Sequence, residues 1–348
     1  MWLSVVHETI AGVLTSLEIC AGAGGQALGL EQAGFKHVAV VENDAHACET
    51  LRLNRAHSRL AKARRWAVRE MDVKDLDGHE YEGVDLFAGG VPCPPFSVAG
   101  KQLGAGDERD LFPTALNLIE VTKPKAVLLE NVKGLSAARF AHYRQDIIST
   151  LEDWGYVSHW QLINASEHGV AQLRPRFVLV ALQARFAPNF AWPAPAGTPP
   201  TVGEALYPYM AENGWPGAAA WAKRADGIGP TLVGGSKKHG GPDLGPTRAR
   251  QAWAMLGVNG GSLAEEAPGP DFPVDATPRL TVRMAAALQG FPKTWKFYGR
   301  KTAAYRQVGN AFPPPVAAAL GKAIARAITS EPDTLDLDLG SSRTAAHV

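Results

Sequence analysis

Cys93 lies in the run Gly89-Gly90-Val91-Pro92-Cys93-Pro94-Pro95-Phe96-Ser97. Prolines fix φ and cannot continue regular structure, so a sulfur held among them is positioned in advance. Such a thiol suits a nucleophile, whereas Cys20 and Cys48 read as small buried hydrophobes. Glu130 follows the strand-like run 125–129 and precedes Asn131-Val132. A thiolate beside a carboxylic acid can attack an electron-poor ring: sulfur adds while the acid protonates a ring nitrogen. Taken alone, Glu130 reads more simply as half of an ion pair at a strand end. Arg174 and Arg176 are two apart, so in an extended chain they share a face. Their guanidinium forks could grip an anionic or carbonyl-bearing ligand; without other motifs, two surface arginines would be the commoner reading.

A second chemical feature is the turn Ala21-Gly22-Ala23-Gly24-Gly25, which follows an apolar run at 16–20 and opens a helix at 25–33. Glycines there permit a tight turn and close approach of backbone to a ligand. Glu42 ends the next apolar run, where a carboxylate can accept both hydroxyls of a ribose. Asp72, after a candidate strand at 66–70, could take an adenine amino group, although singly it reads as an exposed loop carboxylate. The pattern points to an adenosine-containing cofactor and leaves its identity open, a nicotinamide dinucleotide included.

These groups need a scaffold that gathers them. Short strand-like runs at 16–20, 38–41, 84–88, 126–129 and 176–182 alternate with helical spacing at 25–33, 45–57 and 111–121. Asp44 is placed to cap the second helix. Alternation of this kind predicts a doubly wound α/β sheet of parallel strands covered on both faces. Loops at the carboxyl ends of parallel strands emerge on one edge, so Cys93 and Glu130 can meet although distant in sequence. The pattern breaks near residue 184. Residues 187–278 are rich in Pro, Gly and Ala and hold Trp192, Trp215, Trp221 and Trp253, with Trp295 just beyond. That is too aromatic for a linker and predicts an irregular module with Trp215, Trp221 and Trp253 in its core. An Ala-rich amphipathic helix is predicted at 315–328, behind a Pro-rich start.

The 348 residues are 46% apolar and 20% charged, which excludes a disordered chain. Three cysteines cannot form a disulfide framework, no run of about 18 apolar residues spans a membrane, and the N-terminus lacks the basic start of a signal peptide. A cytoplasmic protein without a metal site is expected. The 35 Lys+Arg against 34 Asp+Glu give a net +1, no general sign of nucleic acid. That average hides a segregation. Residues 223–256 carry six basic against two acidic side chains, whereas 329–348 carry four acidic against Arg343 alone.

Taken in order, these motifs carry a resemblance. The chain resembles the bacterial DNA (cytosine-5)-methyltransferases, of restriction–modification type. The matching residues are Leu17–Gly25, Val41-Glu42-Asn43-Asp44, Pro92-Cys93-Pro94-Pro95-Phe96-Ser97, Glu130-Asn131-Val132 and Gln172-x-Arg174-x-Arg176. They continue with Arg279-Leu280-Thr281-Val282-Arg283, Leu288-Gln289-Gly290-Phe291-Pro292 and Gln307-Val308-Gly309-Asn310-Ala311-Phe312-Pro313-Pro314. Each is weak alone; the ordered set, from about 16 to 328, is specific. The resemblance implies a Rossmann-like methyltransferase sheet with a smaller irregular target-recognition domain. It divides the chain into a catalytic part at 1–186, a recognition part at 187–278, a returning catalytic segment at 279–330 and an acidic tail at 331–348.

By resemblance the cofactor is S-adenosylmethionine, leaving as S-adenosylhomocysteine. Its site would comprise Ile19, Cys20, Ala21, Gly22, Gly24, Gly25, Glu42, Asn43, Asp72, Val73, Gly90, Pro92, Leu111, Asn310 and Ala311. Cys93 would add to carbon 6 of a flipped-out cytosine and Glu130 would hold ring nitrogen 3. Arg174 and Arg176 would support the base and its loop, with Arg176 as the direct contact. Two departures stand out: Ile19 in place of an aromatic that stacks on adenine, and Pro94-Pro95 where Gln and a small residue are usual. In the recognition part, Lys237, Lys238 and His239 in a glycine-rich loop, with Arg248 and Arg250, are the expected contacts to double-stranded DNA. A monomer, with possible pairing to a restriction endonuclease, is the expected state. Transfer-RNA methylation, a catalytically silent DNA binder and a dehydrogenase on the same fold are the competing readings.

Overall fold

The structure, a computed structural model, describes residues 12–54, 66–92, 110–235 and 241–330. Its sheet has seven strands: β1 (Thr15–Ile19), β2 (Lys36–Glu42), β3 (Val68–Glu70), β4 (Leu86–Gly89), β5 (Ala126–Val132), β6 (Tyr156–Asn164) and β7 (Pro175–Gln183). Ten helices accompany them among the described residues. The first half holds α1 (Gly25–Gln32), α2 (Ala45–Asn54), α3 (Phe112–Thr122) and α4 (Ala141–Asp153). The second holds α5 (Val202–Met210), α6 (Ala218–Arg224), α7 (Thr247–Met255), α8 (Val282–Leu288), α9 (Lys301–Asn310) and α10 (Pro314–Thr329).

The strand order is β3-β2-β1-β4-β5-β7-β6. β1 to β5 are parallel, with α1, α2 and α3 carrying three of the crossovers between them. The expectation of an all-parallel sheet is corrected at the far edge, where β7 runs antiparallel to both β5 and β6. β6 and β7 follow each other without an intervening α-helix, and strands joined that way pair antiparallel. The loops after β1, β2, β4 and β5 therefore open on one edge, and residues entering β7 from its start reach the same edge.

Both faces of the sheet are dry. One face buries Leu17, Ile19, Phe87, Val127 and Leu129 under α3 and α4. The other buries Leu86, Ala88, Leu128, Val178 and Val180 with Leu30 of α1 and Leu320 and Ile324 of α10. α10, distant in sequence, lies across α1. A Cβ at Gly29 would run into Pro314 O and, at 2.5 Å, the Ala317 Cβ, so a glycine is required at that crossing. The region 187–278 is more regular than its composition predicts, with three helices around a core of Trp215, Trp221 and Trp253, each buried as expected. That core continues without a break into Met284 and Leu288 of α8 and Tyr305 and Val308 of α9. Among the described residues no helix is long and apolar enough to cross a membrane.

Candidate active site

The turn after β1 is made by left-handed residues. Cys20 has φ 51°, Gly22 54° and Gly24 81°. A side chain at Gly24 would meet Leu51 at 2.7 Å and Trp66 at 3.1 Å, so this glycine is needed for close packing as well as for its φ. Cys20, a non-glycine residue in that region, carries local strain. The turn is tied to the end of β2: Gly22 N–H donates to Glu42 Oε2 at 2.7 Å. Asn43 and Asp44 donate to Glu42 Oε1 at 2.9 and 2.7 Å. Three backbone donors thus orient one carboxylate at the mouth of a cavity. Asp44 in turn caps α2, accepting from the His46 and Ala47 N–H groups.

The cavity measures about 560 Å³, a volume suited to a nucleoside-sized ligand. Of the residues implied for the cofactor, Cys20, Ala21, Gly22, Glu42, Asn43, Val73, Gly90, Pro92, Leu111, Asn310 and Ala311 line it. Four do not. Ile19 is fully buried in the sheet core, packed against Gly89, and it is Cys20 that stands on the wall where a stacking aromatic was sought. Gly24 and Gly25 face the protein, where Gly25 leaves room for the Phe312 carbonyl. Asp72 is exposed and caps a short helical turn through the Lys74 N–H at 3.0 Å, while its neighbours Met71 and Val73 reach the wall. Sequence reasoning did not single out Gln26, Met71, Gly235, Arg306 or Phe312. Gln26 and Arg306 adjoin recognised motifs and Phe312 lies within one; Gly235, in the glycine-rich stretch of the recognition region, carried no signal for a cofactor.

Glu130, on β5, enters the same cavity. Burial raises its carboxyl above the usual range, and the nearby Arg176 and Arg174 pull it back down. Arg176 Nε lies 3.3 Å from Glu130 Oε2, an ion pair in which both atoms are buried and neither completes a hydrogen bond to the other. Gly90 stands against this carboxyl: a Cβ there would sit 3.0 Å from Glu130 Oε1. Asn131 Nδ2 donates to Val91 O at 2.8 Å, fixing the start of the loop that leads to Cys93. Leu111 N–H donates to Pro92 O at 3.2 Å, so the chain leaves and re-enters the site at one point. Cys93 itself lies outside the described residues. Of the other cysteines, Cys20 and Cys48 are each pushed up to about 12, chiefly by burial and then by Glu42. Both stay as thiols near neutral pH, which removes them as nucleophiles.

The two arginines do not share a task. Arg176 sits beside Glu130 at the start of β7, and burial lowers its affinity for the proton while Glu130 restores it. Arg174, only 1% exposed, is turned into the protein. It donates to Leu232 O at 2.7 Å, Gly309 O at 2.7 Å and Ala311 O at 2.9 Å. The pairing expected from their spacing is therefore corrected, because Arg174 spends its fork on backbone carbonyls. Gln172 works in the same direction, accepting from the Leu232 N–H at 2.8 Å and donating to Leu288 O at 3.2 Å. Of the expected DNA contacts, Lys237, Lys238 and His239 lie outside the described residues, whereas Arg248 and Arg250 are exposed on α7.

A family model described as C-5 cytosine-specific DNA methylase matches residues 14–326. The chain is 56% identical over 338 residues to the Type II methyltransferase M.NaeI of Lentzea aerocolonigenes, covering 96% of this chain and 80% of that one. It is 50% identical over 321 residues to the Type II methyltransferase M.NgoMIV of Neisseria gonorrhoeae, covering 91% and 99%. Among solved structures it superimposes on a triple mutant of DNMT2 from Spodoptera frugiperda with TM-score 0.62 at 18% identity, covering 90% of this chain and 99% of that one. It superimposes on Dnmt2 methyltransferase from S. pombe with TM-score 0.59 at 16% identity, covering 91% and 99%. At such identities the structural matches speak for the fold alone.

Proposed function

The chain belongs to the C-5 cytosine-specific DNA methylase family, and from that premise we infer how its own residues divide the work. Cys93 is the nucleophile and Glu130 the acid. The observation that carries this division is a carboxyl buried beside Arg176, at the edge of the sheet where Pro92, the residue before Cys93, lines the same cavity. Burial favours the protonated carboxyl, which is the form able to donate to ring nitrogen 3 of cytosine.

The cavity suits S-adenosylmethionine, the family's cofactor, because Glu42 presents an oriented carboxylate to a ribose diol beside a backbone-lined turn. When bound, that cofactor supplies the methyl group. The Cys93 thiolate forms a bond to carbon 6 while Glu130 places a proton on nitrogen 3, and the ring becomes electron-rich at carbon 5. Carbon 5 takes the methyl group. Loss of the carbon 5 proton to a base then re-forms the 5,6 double bond, the carbon–sulfur bond breaks to release the Cys93 thiolate, and nitrogen 3 returns its proton to Glu130. A stacked base cannot reach this edge of the sheet, so the cytosine is extruded from the duplex. Arg176 holds the Glu130 carboxyl and faces the base. Lys237, Lys238, His239, Arg248 and Arg250 serve as DNA contacts.

M.NaeI and M.NgoMIV are named Type II methyltransferases. By that likeness we propose that the protein modifies one DNA sequence and so protects it from a partner endonuclease, and that it acts as a monomer in the cytoplasm. Bisulfite sequencing of DNA from a methylation-free host expressing the protein tests this. One short sequence is expected to retain its cytosines; uniform conversion, or retention without sequence preference, contradicts the reading.

A further inference from the structure

Arg174 is a fully buried cation, and among the described residues no carboxylate forms an ion pair with it. Its charge is met by three carbonyls. Gly309 O lies in the last turn of α9 and Ala311 O just past it, where the helix dipole leaves partial negative charge. The third, Leu232 O, belongs to the recognition region. One side chain from the approach to β7 therefore joins a helix end to a segment that lies 58 residues beyond the arginine itself.

The joined pieces form one wall of the cofactor cavity. Gly235, Asn310 and Ala311 all line it, and Asn310 Nδ2 donates to Gly235 O at 3.1 Å. The contact leaves no slack. A Cβ at Gly309 would strike Gly234 N, and one at Gly234 would strike Arg306 O and come within 2.8 Å of Asn310 Oδ1. The segment is further held by Gln172, which accepts from the Leu232 N–H at 2.8 Å, and by Thr231, whose hydroxyl donates to Leu173 O.

We propose that Arg174 is a positioning residue that builds the cofactor cavity, by clamping the recognition segment 232–235 against the end of α9. It acts through Leu232, Gly309 and Ala311 rather than on the cytosine. Cofactor affinity then depends on where the recognition region sits, even without DNA. The inference rests on reading the cavity as the S-adenosylmethionine site.

Isothermal titration of the full-length protein with S-adenosylhomocysteine, in the absence of DNA, tests it. Arg174→Lys keeps the charge but cannot span three carbonyls, and is expected to weaken binding about tenfold, within the usual range of coupling between sites. Stoichiometry should stay near one, whereas a fold defect would lower stoichiometry and leave the affinity of the folded fraction alone. Arg185→Lys, an exposed position after β7 that does not line the cavity, should bind within twofold of wild type. Gly234→Ala forces the segment off α9 by another route and should weaken binding as Arg174→Lys does; it decides the matter if Arg174→Lys does not fold. Affinity within twofold of wild type in Arg174→Lys, or in Gly234→Ala where that variant decides, overturns the proposal. A wild-type protein that binds no S-adenosylhomocysteine contradicts the reading of the cavity instead.

Discussion

Glu130 and Glu18 are both buried carboxyls, and their surroundings give them different fates. Glu130 has Arg176 at 3.3 Å, so its proton is contested and useful. Glu130→Gln keeps the shape but has no proton to give, and methyl transfer should fall by about 10²–10⁴, the usual contribution of a positioned acid. A full rate in this variant would remove Glu130 from the chemistry. Glu18, on β1 beneath the glycine turn, is fully buried with neither carboxyl oxygen in a completed hydrogen bond. Burial raises its carboxyl well above the ordinary range, with the Ala27 backbone opposing. The folded protein thus holds a proton that the unfolded chain releases above about pH 4. Stability from this group is present below that pH and is lost as pH rises toward its folded pKa. Glu18→Gln should therefore gain on wild type in urea melts as pH rises from 5 to 8, by about 1.4 kcal/mol per pH unit across the part of that window in which wild-type Glu18 keeps its proton. A pH-independent difference would show Glu18 to be ionised in the fold.

At the scale of elements, the strands that position the site were the most legible. Runs such as Ala126–Leu129 are apolar on both faces and bounded by turn residues, so existence and edge could be inferred together. β6 was missed because it is an edge strand: only Tyr156 and Ile163 are buried along it, and its polar residues blur the alternation. The reversal of β7 was not legible because strand direction leaves no mark on composition. Among side chains, the two-residue spacing of Arg174 and Arg176 implied a shared face. Nothing in that spacing reveals that the partners of Arg174 lie 58, 135 and 137 residues onward. The α1–α10 crossing offers a test at this scale. Gly29→Ala places a methyl group against Pro314 O and Ala317, and such overpacking costs about 1–3 kcal/mol. Urea melts should show that loss; a variant as stable as wild type would mean that α10 moves freely off α1.

Over the whole molecule, the sheet edge, the returning segment and the recognition region meet at one cavity. Its walls come from β1, β2, β4 and β5 on one side and from Gly235, Arg306 and Asn310 on the other. The near-neutral charge of the chain concealed a basic stretch at 223–256 in this second half. A surface whose lysines and arginines neutralise phosphates binds DNA in a salt-dependent way. Arg248→Ala with Arg250→Ala is expected to weaken duplex binding and flatten its dependence on salt, measured by fluorescence anisotropy from about 50 to 200 mM salt. An unchanged slope would place α7 away from DNA.

The claim on which the account depends is that Cys93 becomes covalently joined to cytosine. A duplex carrying 5-fluorocytosine at the methylated position has no carbon 5 proton to lose, so the carbon–sulfur bond cannot break after methyl transfer. Incubation with S-adenosylmethionine followed by peptide mass spectrometry should find the methylated fluoropyrimidine on Cys93 in the wild-type protein and no adduct in Cys93→Ala. Methylation of ordinary DNA by Cys93→Ala, or an adduct on Cys20 or Cys48, would contradict it.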